Sequence, residues 1–177
     1  MTSPILVLPG IGNSGPDHWQ TLWEAGNRSM KRVNARDWNR VACSEWVRAL
    51  EAAVSVSGSQ TVLVAHSLGC LQVAHWASNT SLPIHGALLV AVPDPSGPSF
   101  PAEASGFDPL PLERLAFPSI VVASSNDPYA DIDHARRCAK AWGSRIAEIG
   151  NAGHINASSN LGDWAQGRAL LEELLDS

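Results

Sequence analysis

Short runs of aliphatic and β-branched residues recur along the chain and are separated by amphipathic stretches. Runs of this length are typical of buried strands, and their alternation with helical stretches is typical of βαβ units. The pattern therefore predicts an α/β fold with three layers, α/β/α, around a mostly parallel sheet of about six strands. The predicted strands cover residues 5–8, 32–34, 61–65, 87–92, 119–123 and 145–149.

Two of the amphipathic stretches carry a clear apolar stripe at helical spacing. In the first, Trp46, Leu50 and Val54 share one helix face with Val47 and Ala53, and Ser44 stands in front as the predicted N-cap. The last stretch is predicted to close the domain, with Asn160 and Asp163 at capping-box spacing. Its stripe consists of Leu161, Trp164, Leu171, Leu174 and Leu175.

The chain contains seven tryptophans, which is many for its length. Trp19 and Trp23 lie at helical spacing, and most of the others fall within predicted helices. We expect these rings to belong to the core rather than to a ligand cage.

Residues 93–117 show no periodic pattern and contain six of the twelve prolines. A segment of this length without regular structure is unusual inside a compact domain and is often a lid or a binding loop. A rigid surface excursion is the alternative, and the sequence leaves both open.

The length of 177 residues predicts one domain, residues 1–177, with a sizeable core. A hydrophobic content of 45% and a charged content of 16% exclude collagen-like and disordered classes. The net charge of −5 disfavours nucleic acid and acidic membranes as partners. The apolar runs fall short of the roughly twenty residues that span a bilayer, and residues 1–4 lack the basic region of a signal peptide. We therefore expect a soluble, cytoplasmic protein.

The three cysteines, Cys43, Cys70 and Cys138, are odd in number and lack paired metal-ligand spacing. Neither a disulfide framework nor a zinc site is indicated, and buried reduced thiols are expected.

Ser67 carries the sharpest chemical signal in the sequence. It lies between two small residues, Ala65 and Gly69, directly after a predicted strand and before a predicted helix. This is the pattern of a nucleophile elbow, G-x-S-x-G, with alanine in the first place. Small residues are needed there because the serine backbone is strained and the strand and helix approach closely. The pattern predicts that Ser67 is a nucleophile.

A serine hydroxyl needs a base within hydrogen-bonding reach and a third group that holds the base. Asp127 and His154 both follow predicted strands, at the edge where an open α/β sheet gathers its ligands. The chain order Ser67, Asp127, His154 is the order found in α/β hydrolases. Asp94, after the preceding strand, is the alternative acid.

The other histidines are predicted to be structural or on the surface. His66 should point away from the site if Ser67 points into it, and His75 lies on a predicted helix. His18, His85 and His134 do not follow predicted strands.

An acyl-transfer intermediate also needs hydrogen-bond donors for its oxyanion. The backbone N–H of Leu68, directly after the proposed nucleophile, is the first predicted donor. The loop after the first strand should supply the second, and the N–H of Ile11 is our choice.

The same loop contains a literal G-x-G-x-x-G, residues 10–15, and Asp37 follows near the distance expected for a ribose-binding acid. Dinucleotide binding is therefore an alternative. Pro16 would disturb a helix already begun at Gly15. A later helix, with Ser14 as N-cap and Pro16 in the first turn, fits the sequence better.

With these residues identified, the chain resembles the small α/β-hydrolase-fold family named after the retinoblastoma-binding protein, whose bacterial members are compact serine hydrolases. The resemblance implies a minimal hydrolase without a large cap domain, with Ser67, Asp127 and His154 in the catalytic places. At position 65 this chain has alanine where the family usually has glycine, which is a small change in side-chain volume. The segments that carry the likeness are residues 8–10, 17–19, 36–38, Trp46, residues 65–69, 126–128 and 153–154.

The sequence thus predicts a serine hydrolase that cleaves a carboxylic ester or related acyl bond of a small-molecule substrate. The mechanism requires no metal or organic cofactor. Phe100, Phe107 and Leu110 are candidates for the wall of an acyl pocket. The alternative is a protein-binding module on a hydrolase scaffold, which would use the proline-rich segment or exposed tryptophans to contact a protein partner.

Overall fold

The computed structural model describes residues 3–177, and the first two residues of the predicted domain lie outside this range. The strands are β1 Ile5–Leu8, β2 Met30–Arg32, β3 Val41–Ala42, β4 Val62–His66, β5 Gly86–Val90, β6 Ala104–Ser105, β7 Ser119–Ala123 and β8 Arg145–Glu148. Six of these form one sheet in the order β2-β1-β4-β5-β7-β8, and every neighbouring pair is parallel. The prediction of an α/β fold around a mostly parallel sheet of about six strands is confirmed.

The first strand and the strand at residues 119–123 have the predicted bounds, and the other predicted strands differ by one or two residues at one or both ends. The two-residue strands β3 and β6 form a separate parallel ladder that was not predicted. Two residues carry no periodicity, so the hydrophobic pattern could not indicate them.

Five α-helices flank the sheet, and none found in residues 3–177 is long and apolar enough to cross a membrane. No large cap domain is present in this part of the chain. The helices are α1 Trp19–Gly26, α2 Cys43–Ser57, α3 Leu68–Ala77, α4 Ile132–Trp142 and α5 Ala165–Leu175.

The predicted helix caps are wrong, because tertiary contacts fix the helix ends. Ser44 lies inside α2, whose N-cap is Ala42, a residue of the β3 ladder. Asn160 ends a short 3₁₀ turn, and α5 begins only after Trp164. At α1 the N-cap is His18, whose Nδ1 accepts the N–H of Gln20, so the predicted cap Ser14 and Pro16 both lie before the helix.

Alternate strand residues fill two core layers. Leu6 and Leu8 of β1 pack with α2, α3 and α4 on one face, whereas Ile5 and Val7 pack with α1 and α5 on the other. The tryptophans predicted for the core are buried, which confirms that expectation: Trp19, Trp23, Trp46, Trp76, Trp142 and Trp164.

The three cysteines are free and buried, as predicted. Burial raises the pKa of the Cys43 thiol to about 11. It also raises the pKa of Cys138 to about 12, against a smaller opposing effect of Arg137. Cys70 is shifted in the same direction for the same reason.

The proline-rich excursion at residues 93–117 is anchored to the body of the domain. The indole Nε1–H of Trp142 donates to the carbonyl of Pro111 at 2.9 Å. Phe107 is buried in the core, and its carbonyl lies 3.0 Å from Nε2 of His75. These contacts favour a rigid excursion over a mobile lid for its second half.

The end of β1 and the first turn of α3 approach closely at Gly69. A Cβ at this position would lie 2.4 Å from the carbonyl oxygen of Leu8 and 2.9 Å from that of Pro9. Real Cβ atoms do not approach backbone oxygens so closely, so only glycine permits this packing.

We therefore expect Gly69→Ala to lower the free energy of unfolding by about 1–3 kcal/mol, the usual cost of overpacking a core. Urea unfolding measures this loss. Gly15→Ala is the matched control, because a Cβ at Gly15 would meet no heavy atom within 4 Å. Equal unfolding midpoints for the Gly69 variant and the wild type would show that α3 can move away from β1.

Candidate active site

Ser67 lies in a sharp turn between the end of β4 and the start of α3. Its backbone has φ 53° and ψ −122°, which is strained for a residue with a side chain. The backbone N–H of Ser67 donates to the carbonyl of Val90 at 2.9 Å. On its other side lies Gly10, where a Cβ would be 3.0 Å from Cβ of Ser67. The turn therefore presents the Ser67 hydroxyl to the loop after β1.

The structure brings the three predicted residues Ser67, His154 and Asp127 into one hydrogen-bonded row. Nε2 of His154 lies 2.7 Å from Oγ of Ser67, and Nδ1 lies 2.9 Å from both carboxylate oxygens of Asp127. An ionised carboxylate only accepts hydrogen bonds, so Nδ1 carries the ring proton. Nε2 is then free to accept the proton of the Ser67 hydroxyl.

Asp127, and not the alternative Asp94, faces the ring of His154. The Asp127 side chain is only 5% exposed, and its carboxylate also accepts the N–H of Tyr129 at 2.9 Å. Asp94 lies instead beside His134, with 3.8 Å between its Oδ2 and Nδ1 of that ring. Burial lowers the pKa of His134, and the nearby Asp94 carboxylate opposes this shift.

The two predicted oxyanion donors border the same pocket as Ser67. Ile11 and Leu68 both line it, and their backbone N–H groups have no hydrogen-bond acceptor among residues 3–177. The next N–H groups of the β1 loop are occupied: Gly12 donates to Trp38 at 2.7 Å and Asn13 to Gly10 at 3.2 Å. The two predicted donors therefore border the pocket without an acceptor in the described part of the chain.

The pocket above Ser67 has a volume of about 190 Å³ and mainly apolar walls. Of the three residues predicted to line an acyl pocket, only Phe100 does so. Phe107 is buried in the core and Leu110 packs against it, because the excursion folds its second half onto the domain. The other apolar lining residues are Ile11, Leu68, Pro93, Pro101 and Tyr129.

Tyr129 is a lining residue that the sequence analysis missed. Its ring centroid lies 4.4 Å from that of His154. Its position two residues after Asp127, in the same turn, could have indicated that it lies near the site.

His18 and His66 also line the pocket, although neither was predicted to be near the site. His18 is 4% exposed, and its ring packs edge-on against His66 at 4.7 Å. Burial, followed by the charges of Arg32 and His154, lowers the pKa of His18 to about 4. Burial likewise holds the pKa of His66 well below its ordinary value. Both rings are therefore neutral at neutral pH.

The remaining histidines, His75, His85 and His134, are not among the residues that line the pocket. The Nε2 atoms of His75, His85 and His134 each contact a backbone carbonyl, at 3.0 Å, 2.9 Å and 3.1 Å. These contacts agree with the predicted structural role.

The geometry of residues 10–15 does not fit a dinucleotide-binding loop. In that motif the helix is under way at the third glycine, whereas α1 begins only at Trp19. Gly10 packs against Ser67 instead. Asp37 is exposed, and its carboxylate accepts the N–H groups of Asn39 and Arg40 in a local turn.

Comparisons with known proteins find a matching family model and similar solved structures. Residues 5–173 match the family model described as serine hydrolase. The chain is similar to a protein described as a YdeN-like hydrolase from Pectobacterium atrosepticum, with 30% sequence identity and a TM-score of 0.87, covering 99% of this chain and 91% of that one. No curated protein sequence matches the chain significantly.

Two further solved structures share the fold at lower identity. The ydeN gene product of B. subtilis has 17% identity and a TM-score of 0.81, with coverage of 99% of this chain and 100% of that one. The monoacylglycerol lipase of Paleococcus ferrophilus has 15% identity and a TM-score of 0.72, with coverage of 99% and 96%. Both are α/β structures of the same overall size.

The lowered pKa of His18 predicts a loss of stability in acid. Unfolded chains bind a proton to this residue near pH 6.5, whereas the folded protein binds it only near pH 4. As the pH falls through that window, the unfolded state binds more protons and gains stability relative to the folded state. The loss from this residue is at most about 3 kcal/mol.

We expect His18→Asn to lose less stability than the wild type across this window, because asparagine keeps a cap acceptor and does not titrate. Urea unfolding at a series of pH values measures the slope. His75→Asn, on the opposite face of the sheet, is the control. An unchanged slope in the His18 variant would assign the acid sensitivity to other groups.

Proposed function

The chain belongs to the serine hydrolase family, and from this premise we propose that it is a carboxylesterase acting on small acyl substrates. Ser67 is the proposed nucleophile, His154 the base and Asp127 the residue that orients the base. The observation that carries the proposal is the row of hydrogen bonds, 2.7 Å from Ser67 to His154 and 2.9 Å from His154 to Asp127. Proton transfer along this row needs no rearrangement of these side chains.

In the proposed reaction, Oγ of Ser67 attacks the ester carbonyl carbon while Nε2 of His154 takes the hydroxyl proton. The Asp127 carboxylate stabilises the resulting imidazolium. The N–H groups of Ile11 and Leu68 donate to the oxyanion of the tetrahedral intermediate. The carbon–oxygen bond to the alcohol then breaks, and the alcohol leaves with the proton from His154.

The acyl group now forms an ester with Ser67, and water completes the cycle. His154 takes a proton from the water as its oxygen attacks the acyl carbon. The bond to Oγ of Ser67 breaks, Ser67 regains its proton from His154, and the carboxylic acid is released. Every atom and charge in these reaction steps is supplied by the substrate, by water and by the protein.

The pocket favours short, uncharged acyl groups. Its volume of about 190 Å³ is below the roughly 300–1,000 Å³ of sites for drug-sized ligands. No Lys, Arg, Asp or Glu lines it among the residues that the structure describes. A charged acyl group would therefore lose its hydration without gaining an ionic partner.

Two finer predictions from the sequence also remain proposals. We propose that residues 1–177 form one domain, supported by core layers on both faces of the six-stranded sheet. The closer relation to the hydrolases named after the retinoblastoma-binding protein is likewise proposed within the broader serine hydrolase family.

We expect Ser67→Ala to lower ester turnover by at least about a thousandfold, because the three residues act as a unit. The fold should persist, since the substitution removes only one part-buried side-chain hydrogen bond and leaves the packing unchanged. Turnover and covalent labelling by a fluorophosphonate probe measure the effect. Ser125→Ala, in the exposed loop after β7, is the matched control and should label like the wild type.

A wild-type protein that neither labels nor turns over short esters would contradict the proposed activity. That result would favour a binding module on a hydrolase scaffold. Labelling that persists in the Ser67 variant would place the nucleophile elsewhere.

We expect kcat/KM to be highest for short acyl chains and to fall along a series of nitrophenyl esters from acetate to decanoate. Phe100→Ala should move the optimum to longer chains, because Phe100 forms one wall of the pocket. Leu112→Ala is the control: Leu112 belongs to the same excursion and is 52% exposed. An optimum unchanged by the Phe100 substitution would place the acyl group elsewhere.

A further inference from the structure

The loop that carries the proposed base has a strained backbone. We call residues 152–155 the base loop. His154 lies between two residues in the left-handed region, Gly153 with φ 58° and Ile155 with φ 49°. A β-branched residue rarely adopts this conformation, and it persists only where the surroundings hold it. Contacts with the rest of the domain must therefore hold the base loop in this conformation.

Two buried side chains hold successive carbonyl groups of the base loop. Nε2 of His66 lies 2.9 Å from the carbonyl oxygen of His154. A carbonyl only accepts, so Nε2 of His66 carries the proton and donates. Nε1–H of Trp19 donates to the next carbonyl, that of Ile155, at 2.8 Å.

One of these donors belongs to the strand that positions the nucleophile, and the other packs against it. His66 is the last residue of β4 and directly precedes Ser67, so its hydrogen bond ties the base loop to the nucleophile elbow. Trp19 is the first residue of α1, and its ring packs edge-on against His66, with centroids 6.1 Å apart. The two donors therefore form one packed group beneath the base loop.

The other side of the base loop is held by a different set of contacts. The N–H of Gly153 donates to Oδ1 of Asn126 at 2.8 Å, and the N–H of Ala152 donates to Oγ of Ser124 at 2.9 Å. Asn126 and Ser124 belong to the loop that carries Asp127. This set fixes the base relative to the acid, whereas His66 and Trp19 fix it relative to Ser67.

We propose that Trp19 and His66 are positioning residues that clamp the base loop, so that Nε2 of His154 stays within hydrogen-bonding distance of the Ser67 hydroxyl. This inference rests on the proposed hydrolase function. Neither residue touches the reacting atoms in the mechanism. Their contribution is geometric, and a displacement of about 1 Å in such a site costs roughly a hundredfold in rate.

The tryptophan pair of α1 provides a matched test of the clamp. Trp23 lies in the same aromatic cluster, and its Nε1–H donates to the carbonyl of Asp163 at 2.7 Å, outside the base loop. Trp19→Phe and Trp23→Phe therefore each remove one indole N–H···O=C bond. Comparable losses of stability are expected from both.

Only Trp19→Phe should slow the reaction. We expect kcat for a short ester to fall roughly ten- to a hundredfold with KM changed less than about threefold, because substrate contacts remain while the base is misplaced. Trp23→Phe should keep kcat within about threefold of the wild type. Equal kcat values for the two variants would overturn the role of Trp19.

His66 is tested by conservative and non-conservative substitutions. Glutamine can place an N–H group near the position of Nε2, whereas leucine cannot, so His66→Gln should retain most of the kcat that His66→Leu loses. His85→Leu is the control, because it removes a ring-to-carbonyl contact of 2.9 Å, to Leu174. If the leucine variant does not fold, His66→Asn replaces it, since asparagine is polar but too short to reach.

A direct measurement separates failure of the clamp from failure of the proposed function. The His154 Nδ1–H proton, hydrogen-bonded to Asp127, should give a downfield NMR signal in the wild type. Loss or broadening of this signal in Trp19→Phe and His66→Leu, but not in the controls, supports the clamp even if no ester is turned over. An unchanged signal and unchanged kcat in both variants of an active enzyme would overturn the clamp alone.

Discussion

The close approach of α3 to the end of β1 is the constraint on which the site depends. The glycine at position 69 lets the first turn of α3 pass beneath the carbonyls of Leu8 and Pro9, where a Cβ would lie 2.4 Å from an oxygen. This contact fixes where the helix begins and therefore forces Ser67 into its strained turn. Gly10, in the loop that carries Ile11, packs against the serine from the other side. One packing contact thus fixes the start of α3, and with it the position of Ser67 and of the N–H of Leu68, the first proposed oxyanion donor.

Much of the fold, and the grouping of Ser67, Asp127 and His154, could be predicted because the sequence signals for them are local. A strand buried on both faces is a continuous aliphatic run, and Asp127 follows such a run, β7. His154 follows β8, a partly exposed strand at the edge of the sheet. Parallel strands bring those ends to one edge, so chain order and strand position sufficed to group them with Ser67. The helix caps were predicted wrongly because Ser44 and Asn160 have suitable side chains, but the neighbouring β3 ladder and 3₁₀ turn decide where α2 and α5 begin.

The residues that sequence reasoning misplaced all depend on distant contacts. His66 was expected to point away from the site because neighbouring strand residues alternate in direction. That argument ignores the loop that folds over the strand end from 88 positions away and brings the carbonyl of His154 to the ring of His66. Phe107 was expected near the pocket with Phe100, yet the excursion turns its second half into the core. No spacing rule within a single sequence reports such approaches.

The two sides of the proposed base differ in how much positioning they require. On the acid side, Nδ1 of His154 lies 2.9 Å from both oxygens of Asp127, so a small in-plane shift shortens one contact as it lengthens the other. On the nucleophile side there is a single hydroxyl at 2.7 Å, and any shift changes the only contact. Proton transfer is therefore more sensitive to movement of the base relative to Ser67 than relative to Asp127. The base loop therefore needs the firmest restraint on the side of Ser67. His66, directly before the nucleophile, and Trp19 of α1 donate their hydrogen bonds to the base loop on that side.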